Sequence, residues 1–136
     1  MKRLSVVLVA SALSMLVTPG LAGEAQVFDL GKALSDAPRG RPAVNVSLVK
    51  MPDYTVNAVL VKDEIPLHRH ENDSHVLYVV SGRGTATLDG KPVALKPGMV
   101  IHIPQGIDHS IKAEGGEVRL VDFARHSRDS GGTDKK

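Results

Sequence analysis

The sequence predicts an all-β barrel, and three observations carry the prediction. Apolar residues recur at every second position in short runs. Turns rich in Gly and Pro separate those runs at near-regular spacing. Beyond the N-terminal stretch, no segment shows a convincing helical period. Strands of this length and spacing build a sandwich or barrel, in which each strand buries one face. Val, Leu and Ile supply the core volume. Only two Phe and two Tyr occur in 136 residues, which argues against an aromatic platform for stacking sugars or bases.

Lys2 and Arg3 lead into an uncharged apolar run, Leu4 to Val17, and then into Thr18-Pro19-Gly20 and the small residues ending at Gly23. A basic start, a short apolar core and a small-residue exit describe a secretory signal peptide over residues 1–22, cleaved after Ala22. The run is shorter than the ~20 residues that span a bilayer, so stable membrane insertion is not expected. The chain has 17 basic and 15 acidic residues, and Lys2 and Arg3 are the whole surplus. The remaining 114 residues are electrically balanced, which leaves no basic stripe for nucleic acid. Cysteine is absent, so disulfides, thiolate ligands and thiol nucleophiles are excluded together. The expected compartment is the periplasm or the medium.

Residues 23–42, with Gly31, Pro38, Gly40 and Pro42 among charges, read as a lead-in holding at most one short strand near Val27-Phe28. The barrel is expected over 43–125. Val44, Val46 and Leu48 alternate with polar or small residues. After Pro52-Asp53, the same period runs through Val56, Ala58, Leu60 and Lys62. A strand from His75 to Val80 closes at Ser81-Gly82. Thr85–Leu88 and Pro92–Leu95 flank Asp89-Gly90, a strong hairpin signal. Further strands are expected over Met99–Ile103, His109–Lys112 and Val118–Phe123. The polar residues 126–136 read as a disordered tail, with His126 solvated. Val56, Ala58, Leu60, Leu77 and Val79 are taken as the inward positions, which makes the expected lumen almost wholly apolar.

Five of the six histidines fall between residues 68 and 109. In a strand, positions i and i+2 share a face, so His68 and His70 can meet one ion while Arg69 points away. His75 follows a short loop, and His109 follows the turn Pro104-Gln105-Gly106. Converging imidazoles bind Zn, Cu, Ni or Fe. His102, within the Met99–Ile103 strand, is expected to be packed, with an outer supporting role for the metal as the other reading. Glu71, Asp73 and Asp108 read as exposed loop carboxylates.

These residues resemble the paired motifs of the cupin family, and in particular its small single-domain bacterial members of the type-2 group. His68, His70 and Gly82 fall on the spacing of the first motif, and His75 stands where that motif has Glu. Gly98, Pro104, Gly106 and His109 match the second, whose final Asn is Ala113 here. The Gly six residues before His68 is Lys62. The resemblance spans about residues 44–123 and implies a double-stranded β-helix, or jelly-roll barrel. It further implies one divalent transition metal on His68, His70, His75 and His109. The imidazole of His75 in place of a carboxylate favours Zn, Cu, Ni or Fe over the harder Mn and Mg. The other reading of His75 is a non-ligand beside three ligating histidines.

Two functional classes follow. One is a metal-dependent enzyme acting on a small molecule, dioxygenase-like in preference to a Lewis-acid lyase or isomerase. The other is a non-catalytic periplasmic binder of a metal or a metal-chelating ligand. Resemblance to other small cupins also implies a possible homodimer. No residue is identified as catalytic.

Overall fold

The structure is a computed structural model that describes residues 23–127. The expected signal peptide and most of the expected tail lie outside the described residues. Among the described residues, nine strands form two antiparallel sheets: β1 (Ala43–Lys50), β2 (Tyr54–Val61), β3 (Glu64–His68), β4 (Asp73–Ser81), β5 (Gly84–Leu88), β6 (Lys91–Leu95), β7 (Val100–Ile103), β8 (His109–Ala113) and β9 (Val118–His126). The five-stranded sheet runs β1-β2-β9-β4-β7 and the four-stranded sheet β3-β8-β5-β6. Sequence-distant strands are neighbours in both, as the jelly roll requires. The core between the sheets includes Val61, Val79, Ile103, Val118 and Leu120, each 2% exposed or less. A fully buried side chain of this kind contributes roughly 1.5–3 kcal/mol.

The Asp89-Gly90 turn closes the β5–β6 hairpin with positive φ at both residues, 49° and 76°. That is the conformation an Asp-Gly pair favours, because it matches the twist of the flanking strands.

Two expectations are corrected. The lead-in holds a helix, α1 (Leu30–Ser35), and no strand at Val27-Phe28. Asp29 caps it by accepting the Lys32 backbone N–H at 2.8 Å, and Leu34 is buried. Leu30 and Leu34 are four apart and share a face, but six residues are too few to show a period. The second correction concerns β2. Ala58 and Leu60 do not face the barrel; with Val46 and Leu48 they pack beneath Leu30 and Leu34 of α1. The barrel-facing residues are the alternate set, Thr55, Asn57, Val59 and Val61. Leu77 and Val79 do belong to the barrel core. Both faces of β2 are covered, so apolarity alone could not tell inside from outside.

Strand β9 also runs further than expected, to His126. Its end is anchored by the His126 N–H on the Asp53 carbonyl at 2.9 Å and the Ser127 N–H on the Asn72 carbonyl at 2.8 Å.

Candidate metal centre

His109 and His68 are direct partners across the β3–β8 ladder, with ring centroids 4.2 Å apart. Strand β3 is an edge strand, which admits Pro66, and its pairing slips between Ile65 and His68. The Pro66 carbonyl at that slip accepts the His68 Nδ1–H at 2.7 Å. His109 makes the same local bond, from Nδ1 to the Ile107 carbonyl at 2.8 Å. A carbonyl can only accept, so each Nδ1 carries the proton, and in the neutral rings each Nε2 keeps its lone pair.

His70 lies two residues beyond the end of β3, off the strand that the sequence suggested it shares with His68. Its backbone is tied to the second motif, where the Gly106 N–H donates to the His70 carbonyl at 2.8 Å. The His70 ring stands 4.9 Å from that of His68 and 4.5 Å from that of His75. One ligand nitrogen from each of His68, His70 and His109 lies within 4.8 Å of the others.

His75 projects from β4 on the opposite wall. Its Nδ1 donates to Asp122 Oδ1 at 2.9 Å, and the second oxygen of that carboxylate accepts from the Asn57 amide at 3.3 Å. The Asn57 amide also reaches Thr55 Oγ1 at 3.3 Å. With Nδ1 protonated, Nε2 of His75 is an acceptor. It is buried and, among the described residues, has no hydrogen-bond partner. A buried polar atom without a partner costs about 1–3 kcal/mol, so this one calls for a ligand. His75 also groups with His70 and Asp73, its ring lying farther from His109, at 6.1 Å.

The electrostatics agree with neutral ligands. Burial holds His70 below the usual value of 6.5, helped by the imidazoles of His75, His68 and His109 and opposed by Asp73. Burial likewise lowers His109, against the raising effect of the Ile107 carbonyl. Neutral imidazoles with free lone pairs, one of them orphaned, fit a borderline transition metal.

The histidines open into a cavity of about 470 Å3 between the sheets. Its lining is not the apolar one expected, because Asn57 and Asp122 face it and Asp73 and His126 line it as well. Sequence reasoning missed all four in this role. The signal for Asp122 was a single carboxylate among Leu120, Val121, Phe123 and Ala124; for Asn57 it was the polar alternation Thr55-x-Asn57. His126, expected to be solvated, donates Nδ1–H to Asp73 at 2.9 Å. Asp73, read as an exposed loop carboxylate, is the first residue of β4. His102 is exposed on the outer face of β7, neither packed nor near the other histidines. Asp108, partly exposed, binds Arg69 at 2.7 Å.

The two sheets, their strand order and the histidine cluster between them define a double-stranded β-helix with a histidine group able to hold a metal. Residues 58–123 match the family model described as the Cupin_2 cupin domain. Over 61 residues the chain is 34% identical to the quercetin 2,3-dioxygenase of Bacillus subtilis strain 168, covering 45% of this chain and 18% of that protein. Over 49 residues it is 37% identical to an uncharacterized protein of Methanocaldococcus jannaschii, covering 36% and 39%. The aligned stretches thus span less than two fifths of either relative. An uncharacterized double-stranded β-helix protein of Klebsiella pneumoniae superposes with a TM-score of 0.68 at 18% identity, over 77% of this chain and 93% of that one.

Proposed function

We propose that the protein is an exported cupin that holds one divalent transition metal on His68, His70, His75 and His109 and acts through it on a small molecule in the barrel cavity. The observation that carries this reading is the buried Nε2 of His75, which has no partner among the described residues, on a ring whose Nδ1 is already committed to Asp122. Three Nδ1 atoms are held by fixed acceptors, so the chain prepays the orientation of three rings, and His70 completes the set. Bound there, the metal would supply a redox centre or a Lewis acid, according to its identity.

The named relative in Bacillus subtilis is a dioxygenase, which supports oxygen chemistry ahead of lyase or isomerase work. The chain's own groups confine the ligand. Val59, Leu77, Ile103 and Ile111 wall the cavity with hydrocarbon, and the lining carboxylates Asp122 and Asp73 accept from His75 and His126.

Elemental analysis of protein purified from a periplasmic extract without added metal is the test. About one equivalent of Fe, Cu or Ni supports oxygen chemistry, and Zn supports Lewis-acid chemistry. A chain that takes up no metal even when it is supplied overturns the reading. Export is tested by N-terminal sequencing of the secreted protein, which should begin at Gly23.

A further inference from the structure

Two carboxylates, Asp73 and Asp122, line the cavity, and among the described residues no Lys or Arg does. The basic residue between His68 and His70 is Arg69, and it is turned away, onto Asp108 at 2.7 Å and Glu71 at 3.8 Å. Sites for carboxylates and phosphates meet the anion with a guanidinium or ammonium group. Here an anion would approach two negative side chains instead. A doubly charged ion on neutral imidazoles would be matched by those two carboxylates, leaving no surplus positive charge for an anionic ligand.

His126 supplies the complementary observation. It faces Asp73 directly across the β4–β9 ladder, with Nδ1 2.9 Å from Oδ1. The carboxylate accepts, so Nδ1 carries the proton, and in the neutral ring Nε2 keeps its lone pair. Among the described residues no protein donor reaches that nitrogen, and both side chains are about a third exposed, at 33% and 31%. The ring is therefore oriented from one side and available from the other, beside the histidine cluster but outside it.

We propose that the cavity selects an uncharged small molecule carrying hydroxyl groups, and that His126, oriented by Asp73, accepts a hydrogen bond from one of those hydroxyls. The inference rests on the metal-binding reading above and adds to it the class of ligand. His126 is a specificity-determining residue. The carboxylate fixes its ring, and the aliphatic wall takes the apolar body of the ligand.

The test uses the full mature chain, with metal content measured first and binding then followed by calorimetry at neutral pH. The two probes are kojic acid, an uncharged hydroxyketone, and oxalate, a small dianion. Kojic acid should bind at least about ten-fold more tightly than oxalate. His126→Ala and Asp73→Asn should each weaken kojic acid by about five- to ten-fold, the scale of one hydrogen bond, and His126→Ala should leave metal content and oxalate binding unchanged. His126→Gln, whose amide oxygen still accepts, should recover part of the loss. Oxalate binding as tightly as kojic acid, or an unchanged kojic acid affinity in both the His126→Ala and Asp73→Asn variants, overturns the proposal. If the wild type takes up no metal, the metal reading fails separately. The same titration is then run on the metal-free protein, where the absence of a preference for kojic acid overturns the ligand assignment too.

Discussion

Asp122 of β9 and His75 of β4 lie on adjacent strands one pleat out of register, and the carboxylate accepts the imidazole Nδ1–H at 2.9 Å. Asn57, from β2 on the far side of β9, steadies the other carboxylate oxygen. Three strands thus set the orientation of one ring. Asp122→Asn should therefore lower metal affinity by about 10- to 100-fold, since a group that holds a ligand ring acts on that scale. Competition against a chelator of known affinity measures it. An unchanged affinity would remove His75 from the ligand set or Asp122 from its support.

Substitution at His75 itself separates four ligands from three. His75→Glu adds an anionic oxygen donor and restores the commoner cupin pattern, so preference should move toward Mn2+ and Fe2+ and away from Cu2+. His75→Ala removes a donor and should weaken every metal. If neither change alters affinity or selectivity, the centre consists of His68, His70 and His109 alone.

The metal-free protein should lose stability in mild acid. Burial lowers His70 and His109 below their unfolded value of 6.5, so the unfolded chain binds more protons than the folded one there. Stability is then fully present above 6.5 and declines as the pH falls through 6.5 toward the folded-state values. Bound metal should steepen the loss, because each ligand must stay unprotonated. Thermal melts at fixed ionic strength between neutral pH and pH ~5 check the sign. The His70→Gln/His109→Gln double variant should flatten the slope.

Two glycines of the matched motifs should behave differently. Gly82 has φ of +89°, and a Cβ there would lie 2.1 Å from the Glu117 carbonyl oxygen and 2.8 Å from Val118 Cα. Those contacts are backbone and cannot swing aside, so Gly82→Ala should cost roughly 3 kcal/mol or more. Gly98 shares the positive φ, at +90°, but a Cβ would meet nothing within 4 Å among the described residues. Gly98→Ala should cost only about 1–2 kcal/mol, the left-handed backbone penalty. Chemical denaturation of both variants makes the comparison.

The fold was legible because turns and strand period agree along most of the chain, and Asp89-Gly90 adopts the backbone its composition demands. The histidines were legible because His68, His70, His75 and His109 carry their spacing in the sequence. The residues behind them were not. Asn57 and Asp122 depend on which face of β2 and β9 looks inward, and α1 hides that parity by burying Ala58 and Leu60 on the outside. Helix α1 in turn escaped notice because its capping residue, Asp29, and its leucine pair occupy barely two turns. Asp73 and His126 are 53 residues apart, and only the β4–β9 register makes them neighbours.

That register has a further consequence. The rung formed by Asp73 and His126 is the last of the β4–β9 ladder and at the same time part of the cavity wall. Ladder ends fray, so opening of this rung and loss of a ligand held by His126 are coupled equilibria. A ligand that uses the ring should slow hydrogen exchange at the His126 and Ser127 amides, which are bonded to Asp53 and Asn72, and should leave central β9 amides little changed. Reciprocally, a substitution that loosens this corner from outside, such as Asn72→Gly, should speed ligand release without touching any residue of the cavity.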